Sequence, residues 1–324
     1  MVETESDVSL QNVAQAVAEG FSKTPKQLPS WLFYNETGDK IFQQIMRMPE
    51  YYLTGCEYEI LETSKAKLLN YFSAGNQPFN LLELGAGDGL KTEILLKHFV
   101  SKNVRFTYSP IDVSANALDA LTKKLHQSLP ELEIEPIQQV YSDALEKVRD
   151  SGHRKVFLFL GANIGNFEIP EAIELTRQIA DTMHKDELLL IGFDLKKDPR
   201  LIQAAYDDSH GITRDFNMNL LVRLNQELGA NFQLDQFRHY PFYDPQTGTA
   251  KSYLISLRDQ HVSFRHTQQS YTFKRWEIIH TEVSQKYDVE MIETMADKSG
   301  LEIVETLYDC KYYFCDVLMR KKKI

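Results

Sequence analysis

The sequence predicts an α/β protein: a doubly wound parallel sheet with a second, α+β portion inserted into it. Three observations predict this. Asn80-Leu81-Leu82-Glu83-Leu84 is an apolar run short enough for a buried strand, a glycine turn follows at Gly85, Gly87 and Gly89, and Thr92 to Phe99 has the apolar spacing of a helix. From there to Asp194, apolar runs alternate with helical ones, the pattern of a parallel sheet with helices on both faces. Past Asp194 the alternation stops and several β-like segments follow one another.

In order, Leu10 to Phe21 has helical spacing, and Leu28 to Tyr34 is aromatic and broken by Pro29. Ile41 to Met48 is a short helical run, Pro49-Glu50-Tyr51-Tyr52 reads as a loop, and Glu57 to Phe72 as an amphipathic helix. After the glycine turn, Val104 to Ile111 is a strand ending at Asp112, and Ser114 is an N-cap for a helix through His126. Leu132 to Val140 reads as a strand leading to Asp143. Lys155 to Leu160 is a strand buried on both faces, running into the loop Gly161 to Asn166. Pro170 to Met183 is a helix and Leu188 to Phe193 a strand. Asp198-Pro199 starts a helix carrying Tyr206-Asp207-Asp208, and Phe216 to Leu228 is a second, stopped by Gly229. Phe237 to Tyr243, Ser252 to Leu257, Val262 to Arg265 and Tyr271 to Trp276 form an antiparallel insertion, and Ile278 to Ser284 is extended. Asp288 to Ser299 is a helix stopped by Gly300. Leu301 to Leu307 and Tyr312 to Met319 are closing strands, and Lys321 to Lys323 is a solvated tail.

The bulk properties narrow the function. With 324 residues, 43% hydrophobic and 25% charged, the chain supports a sizeable core and one or two domains. A net charge of −10 argues against broad nucleic-acid binding. Cys56, Cys310 and Cys315 form no C-x-x-C pair, and the acidic N-terminal segment lacks a secretory pattern, so a reducing cytoplasm with thiols packed in cores is expected. No apolar run reaches membrane-spanning length, and the nine histidines show no ligand spacing, so neither a membrane nor a metal is expected.

Ligands of doubly wound sheets bind at the carboxyl ends of the strands, which puts Gly85, Asp112, Asp143 and the Gly161–Asn166 loop along one rim. The glycines run G-x-G-x-G followed by Leu90, neither the dinucleotide fingerprint nor a P-loop, and as in S-adenosylmethionine (SAM) methyltransferases. Glu83, at the strand end, could receive a ligand's polar or cationic group. Asp112 can accept both hydroxyls of a ribose, and Asp143 an adenine amino group. A plain tight turn and two capping aspartates are the bland reading of each feature alone; in this order, together, they point to SAM. Glu282 and Ser284, two apart in an extended segment, face the same side and suit a ring with two N–H groups; the alternative is an edge strand with both in water.

At this point the sequence resembles the histidine N-alpha-methyltransferases of ergothioneine biosynthesis, which make the trimethylated betaine hercynine. The resemblance covers almost the whole chain. It is carried by Leu28-Pro29 with Trp31 to Tyr34, Met48 to Tyr52, Glu83-Leu84-Gly85 with Lys91-Thr92, and Phe159-Leu160-Gly161 with Ile164-Gly165-Asn166. Ala205 to Asp208, Phe216-Asn217, Asn225 to Leu228 and Thr281 to Ser284 complete it. It implies a Rossmann-like SAM-dependent methyltransferase fold over 57–197 and 286–324, with an inserted substrate-recognition domain over 1–56 and 198–285. It implies that Tyr34, Gly85, Lys91, Asp112 and Asp143 hold SAM, that Tyr51, Glu282 and Ser284 clasp the imidazole, and that Gly161, Asn166 and Tyr206 hold the amino and carboxylate groups of L-histidine. Tyr51, Asn166 and Tyr206 are the candidate catalytic residues, with no metal, and the family analogy implies a monomer.

The departures are the third glycine, Gly89, Asn163 in place of a threonine, Ala144 where an aromatic commonly flanks the adenine, and Ile255 near a ring-pocket methionine. Relatives in this superfamily methylate tryptophan derivatives, so another aromatic amino acid or small amine is the alternative substrate, and a non-catalytic SAM sensor the alternative class. Glu282 argues for histidine, because an indole's single N–H would leave a buried carboxylate short of donors.

Overall fold

The computed structural model describes residues 5–150 and 152–322. The chain divides into two compact units, one comprising the residues up to Tyr51 with Asp198–Ser284, the other Tyr52–Lys197 with the residues from Gln285 on. In chain order the first unit opens with helix α1 (Glu5–Ser22), the short strand β1 (Lys26–Gln27) and helix α2 (Glu36–Ile45), which Asn35 caps by accepting from the Gly38 N–H at 2.8 Å. The second unit follows: α3 (Tyr52–Phe72), β2 (Phe79–Leu84), α4 (Thr92–Ser101), β3 (Phe106–Asp112), α5 (Ala115–Ser128), β4 (Glu133–Ile134), β5 (Ile137–Gln138), α6 (Tyr141–Val148), β6 (Arg154–Phe159), α7 (Ile169–Thr182) and β7 (Leu188–Asp194). The first unit resumes with α8 (Pro199–Tyr206), α9 (Ile212–Glu227), β8 (Phe237–Asp244), β9 (Thr249–Ser256), β10 (Gln260–Phe264), β11 (Gln269–Phe273) and β12 (Ile278–Gln285), and the chain closes with α10 (Val289–Lys298), β13 (Leu301–Tyr308) and β14 (Phe314–Lys321).

The second unit holds an eight-stranded sheet in the order β13-β14-β7-β6-β2-β3, with β4 and β5 both on β3. β7, β6, β2 and β3 are parallel neighbours, and β14 runs antiparallel to β7, with Phe314 opposite Asp194 and Arg320 opposite Leu188. The parallel strands are nearly continuous apolar runs because helices cover both faces, and all seven residues of β7 are buried. Leu82, Ile111, Phe157, Ile191 and Val317 lie in one core with Ala172, Ile179 and Met295 from the helices. The first unit has its own core, where Val13, Val17 and Phe21 of α1 meet Leu220, Leu224, Leu254 and Ile279. Its four-stranded sheet runs β1-β12-β9-β8, beside a β10–β11 hairpin.

Several sequence expectations need correction. The strand expected over Leu132 to Val140 is two two-residue pieces. Pro110 in β3 and Pro136 between the pieces have no N–H, so the ladder holds at Thr107↔Glu133 and Tyr108↔Ile134, lapses, and resumes at Ile111↔Ile137. Helix α3 starts at Tyr52 instead of Glu57, because Tyr52 is anchored: its hydroxyl donates to both oxygens of the buried Asp194, at 3.0 and 2.9 Å. Lys321 ends β14 and donates to the Met183 carbonyl at 3.0 Å, and Lys322 pairs with Asp297, so these two are not a solvated tail; Lys323 lies outside the described residues. Of the cysteines, Cys56 and Cys315 are buried but Cys310 is exposed. Among the described residues no helix is long and apolar enough to cross a membrane.

Glu83 does not point at a ligand either. It is buried in β2, where Thr92 of α4 and Tyr108 of β3 each donate a hydroxyl to it, and burial pushes its carboxyl up to about 7. In the unfolded chain this group ionises near the usual carboxylate value, while the folded chain keeps its proton longer. Folding therefore loses stability as pH rises from about 4.5 to about 7, and no more above that. Glu83→Gln should remove that component: the melting temperature of the parent should fall relative to the variant between pH 5 and pH 8. A constant difference between the two would refute the assignment.

Candidate active site

The glycine turn occupies the carboxyl end of β2, between the ends of β6 and β3. Gly85, Gly87 and Gly89 have φ of 72°, 53° and 62°, which residues with a side chain adopt at a cost. Their surroundings differ. A Cβ on Gly85 would lie 2.7 Å from the Tyr141 hydroxyl and 2.8 Å from Asn163 Nδ2, and one on Gly89 would lie 2.3 Å from a methyl of Leu121. At Gly87 nothing lies within 4 Å. Gly85 and Gly89 are thus hemmed in by neighbouring side chains, while Gly87 has open space where a side chain would stand.

Asp112 ends β3 and stitches the turn to the next loop: its carboxylate accepts from the Gly87 N–H at 3.1 Å and the Ser114 N–H at 2.9 Å. A carboxylate has about four acceptor positions, so about two remain for further donors. Asp143 lies in the first turn of α6, exposed, accepting from the Ser142 hydroxyl at 3.1 Å.

Lys91 precedes α4 and pairs with Glu57 of α3, a residue with no exposed surface. The same carboxylate accepts the Gly161 N–H, at 2.7 and 2.9 Å to its two oxygens. Gly161 has φ 78°, and a Cβ there would lie 3.0 Å from Lys91 Nζ. The loop continues through Ala162, in the left-handed region at φ 55°, into a short 3-10 turn over Asn163–Asn166. Asn163 Nδ2 donates to the Gly85 carbonyl at 3.4 Å. The loop from β6 is therefore linked to the glycine turn, and the turn to Asp112. Asn166 closes the 3-10 turn, half-buried.

In the other unit, Tyr206 at the end of α8 donates its hydroxyl to Ser284 Oγ at 2.7 Å, both groups being buried. Glu282, half-buried, lies two residues before Ser284 on β12. Tyr34 and Tyr51 both meet Phe42 edge-on, with ring centroids 5.8 and 6.4 Å apart, and Tyr34 also meets Phe216. Arg223 holds the aromatic segment by donating to the carbonyls of Leu32 and Tyr34. The structure thus brings Gly85, Lys91, Asp112 and Gly161 into one bonded network in one unit. In the other it joins Tyr206 to Ser284 and sets Tyr34 and Tyr51 on one aromatic cluster.

Sequence reasoning missed Glu57, Tyr141 and, as a bonded partner of the turn, Asn163. Tyr141 is half-buried, edge-on to Phe159, and desolvation pushes its phenol up. Glu57 looked like the polar start of an amphipathic helix. Its only signal was its position five residues after Tyr52, the second of the motif tyrosines. One group of candidate metal ligands occurs among the described residues, Glu59, Asp309 and Cys310, but Asp309 there accepts the N–H groups of Lys311, Tyr313 and Phe314. The strand-end residues fit a nucleoside with a charged amino-acid tail: an open glycine backbone, a carboxylate with acceptor capacity and a lysine in one network.

Comparison with known proteins agrees with this chemistry. A family described as histidine-specific methyltransferase, SAM-dependent, matches residues 13–321. A protein named histidine N-alpha-methyltransferase from Mycolicibacterium smegmatis is 33% identical over 91% of this chain and 91% of its own. One of the same name from Mycobacterium tuberculosis is 32% identical over 88% of this chain and 87% of its own. Ergothioneine biosynthesis protein 1 from Schizosaccharomyces pombe is 28% identical over 86% of this chain but only 37% of its own.

Two alanine variants separate the roles of the turn glycines. Both Gly87→Ala and Gly89→Ala carry the left-handed backbone cost of about 1 kcal/mol, and only the second adds the Leu121 clash. Gly89→Ala should therefore lower the melting temperature more than Gly87→Ala; equal losses would contradict the packing account.

Proposed function

The chain belongs to the histidine-specific, SAM-dependent methyltransferase family, and from that premise we propose that it methylates the α-amine of L-histidine to N-alpha,N-alpha,N-alpha-trimethylhistidine (hercynine), a step of ergothioneine biosynthesis. The observation that carries the choice of substrate is the Tyr206–Ser284 hydrogen bond beside Glu282, which joins substrate-side residues from distant parts of the sequence. Bound SAM would supply an electrophilic methyl group on a sulfonium sulfur. Asp112 would hold its ribose, Lys91 and the Gly85–Gly89 backbone its remaining polar groups, with Tyr34 and Asp143 as further cofactor residues.

On the substrate side, Glu282 and Ser284 take the two ring nitrogens of the imidazole, with Tyr51 against the ring. Gly161, Asn166 and Tyr206 hold the amino and carboxylate groups. The attacking amine must be neutral, because an ammonium has no lone pair, and its proton can leave to water before it binds. Tyr51 and Tyr206 orient the amine, and holding it in line supplies much of the acceleration. The N-terminal segment and the insertion after Lys197 act as the substrate-recognition portion.

Incubating the protein with SAM and an equimolar mixture of amino acids, followed by mass spectrometry, tests the reading: methylated histidine should dominate, and preferential methylation of tryptophan or tyrosine would overturn it. Glu282→Ala should raise the KM for histidine at least about tenfold, since it removes a charged hydrogen bond, and leave calorimetric binding of S-adenosylhomocysteine unchanged. Asp112→Ala should do the reverse. Unchanged histidine KM in the first, or unchanged cofactor affinity in the second, would remove the corresponding role.

A further inference from the structure

Behind the cofactor lysine lies a pair of acids that the reaction does not call for. Asp316 is fully buried on β14, directly opposite Gly192 of β7 in the ladder, and neither of its carboxylate oxygens meets a hydrogen-bond donor. It faces Glu57, which is also fully buried. A glycine interrupts the apolar run of β7 here for a physical reason. A Cβ on Gly192 would lie 2.3 Å from Glu57 Oε1 and 3.1 Å from Asp316 Oδ1, so the strand gives up a side chain to make room for two carboxyl groups.

Two acids and one lysine make an unbalanced set. Glu57 is matched to the Lys91 ammonium and to the Gly161 N–H. Asp316 has no cation of its own, and burial beside Glu57 pushes its carboxyl well above the usual range. A proton on Asp316 would let it donate to its neighbour Glu57, which no other group at its own oxygens allows. The arrangement keeps Glu57 fixed at its far side while its near side holds two groups at the strand ends.

We propose that Glu57, backed by Asp316, is a positioning residue: it fixes the Lys91 ammonium and the Gly161 peptide N–H and thereby sets the affinity for SAM. This rests on the methyltransferase reading, which gives Lys91 and Gly161 their roles. One carboxylate joins a cofactor residue to a substrate residue, so the two loops cannot shift independently. Glu57 is too deeply buried to touch a ligand itself.

Calorimetry with S-adenosylhomocysteine, alongside melting temperatures, tests the idea. Glu57→Gln keeps the shape and an acceptor for Gly161 but loses the charge that orients Lys91, and should weaken binding at least about tenfold, the worth of a charge-assisted hydrogen bond. The KM for SAM should rise in step, with a smaller change in kcat. Asp316→Asn mimics the protonated acid and should bind within about threefold of the parent, well under the factor expected for a charged group. Glu57→Asp retains the charge but withdraws it from Gly161, and decides the matter if the glutamine variant does not fold; it too should bind more weakly. Parent-like affinity in the Glu57 variants, with only a lower melting temperature, would overturn the proposal. So would an asparagine variant as weak as Glu57→Gln, or loss of folding in both Glu57 variants. A parent protein that binds S-adenosylhomocysteine but ignores histidine would overturn the substrate reading and leave this inference standing.

Discussion

A carboxylate taken out of water must be given donors, a cation or a proton, and much of the larger unit is arranged to meet that demand. Glu57, Glu83, Asp194 and Asp316 are all buried at or near the core of the sheet. Each settles the demand differently. Glu83 takes two hydroxyls, Glu57 a lysine and a peptide N–H, and Asp194 two lysines and a tyrosine. Asp316 meets no donor, and burial beside Glu57 pushes its carboxyl well above the usual range. These solutions explain residues that would otherwise look incidental: Thr92 after the glycine turn, Tyr108 in a buried strand, Gly192 in the middle of another. Satisfied polar groups of this kind specify where elements sit, because a small shift would strand a charge.

The strand-end network is the local consequence. Gly85, Lys91, Asp112 and Gly161 come from separate loops, and each is held by a protein partner before any ligand is considered. Such preorganisation matters for a transfer reaction that depends on placing two reactants in line, since positioning can supply a large part of the rate. It also divides the glycines. Gly85 and Gly89 face neighbouring side chains of the protein, and Gly87 alone of the three has open space where a side chain would stand.

What was legible in the sequence followed from local pattern. The central strands are strongly apolar and short. Ser114 caps α5, Asp288 caps α10 and Gly300, at φ 72°, ends it, all of which are signals read within a few residues. The order of Asp112 and the Gly161 loop after the glycine turn was readable for the same reason. What was not legible depended on partners far away in the chain. The register gap over β4 and β5 needs Pro110 and Pro136 to be seen side by side. Glu57 carries no local mark of burial, because a helix that starts with polar residues is ordinarily solvated there. The strand end occupied by Glu83 suggested a ligand contact, yet Tyr108, which takes up one of its oxygens, becomes its neighbour only when β3 pairs with β2.

Asp194 shows how one buried acid can anchor an insertion. The chain passes from one unit to the other three times, after Tyr51, after Lys197 and after Ser284. Tyr52, Lys197 and Lys286 stand within two residues of those crossings, and all three bond to Asp194; Lys197 also lies over the Tyr52 ring, 4.2 Å from its centroid. The cluster holds two lysines against one carboxylate, and burial lowers the Lys197 ammonium from its usual value, so the three partners constrain one another tightly. Each of the three crossings therefore has a residue bonded to the same side chain close by. Satisfying one buried acid thus fixes the backbone at all three crossings within the larger unit, because moving any one partner would leave the Asp194 carboxylate short of a donor or cation.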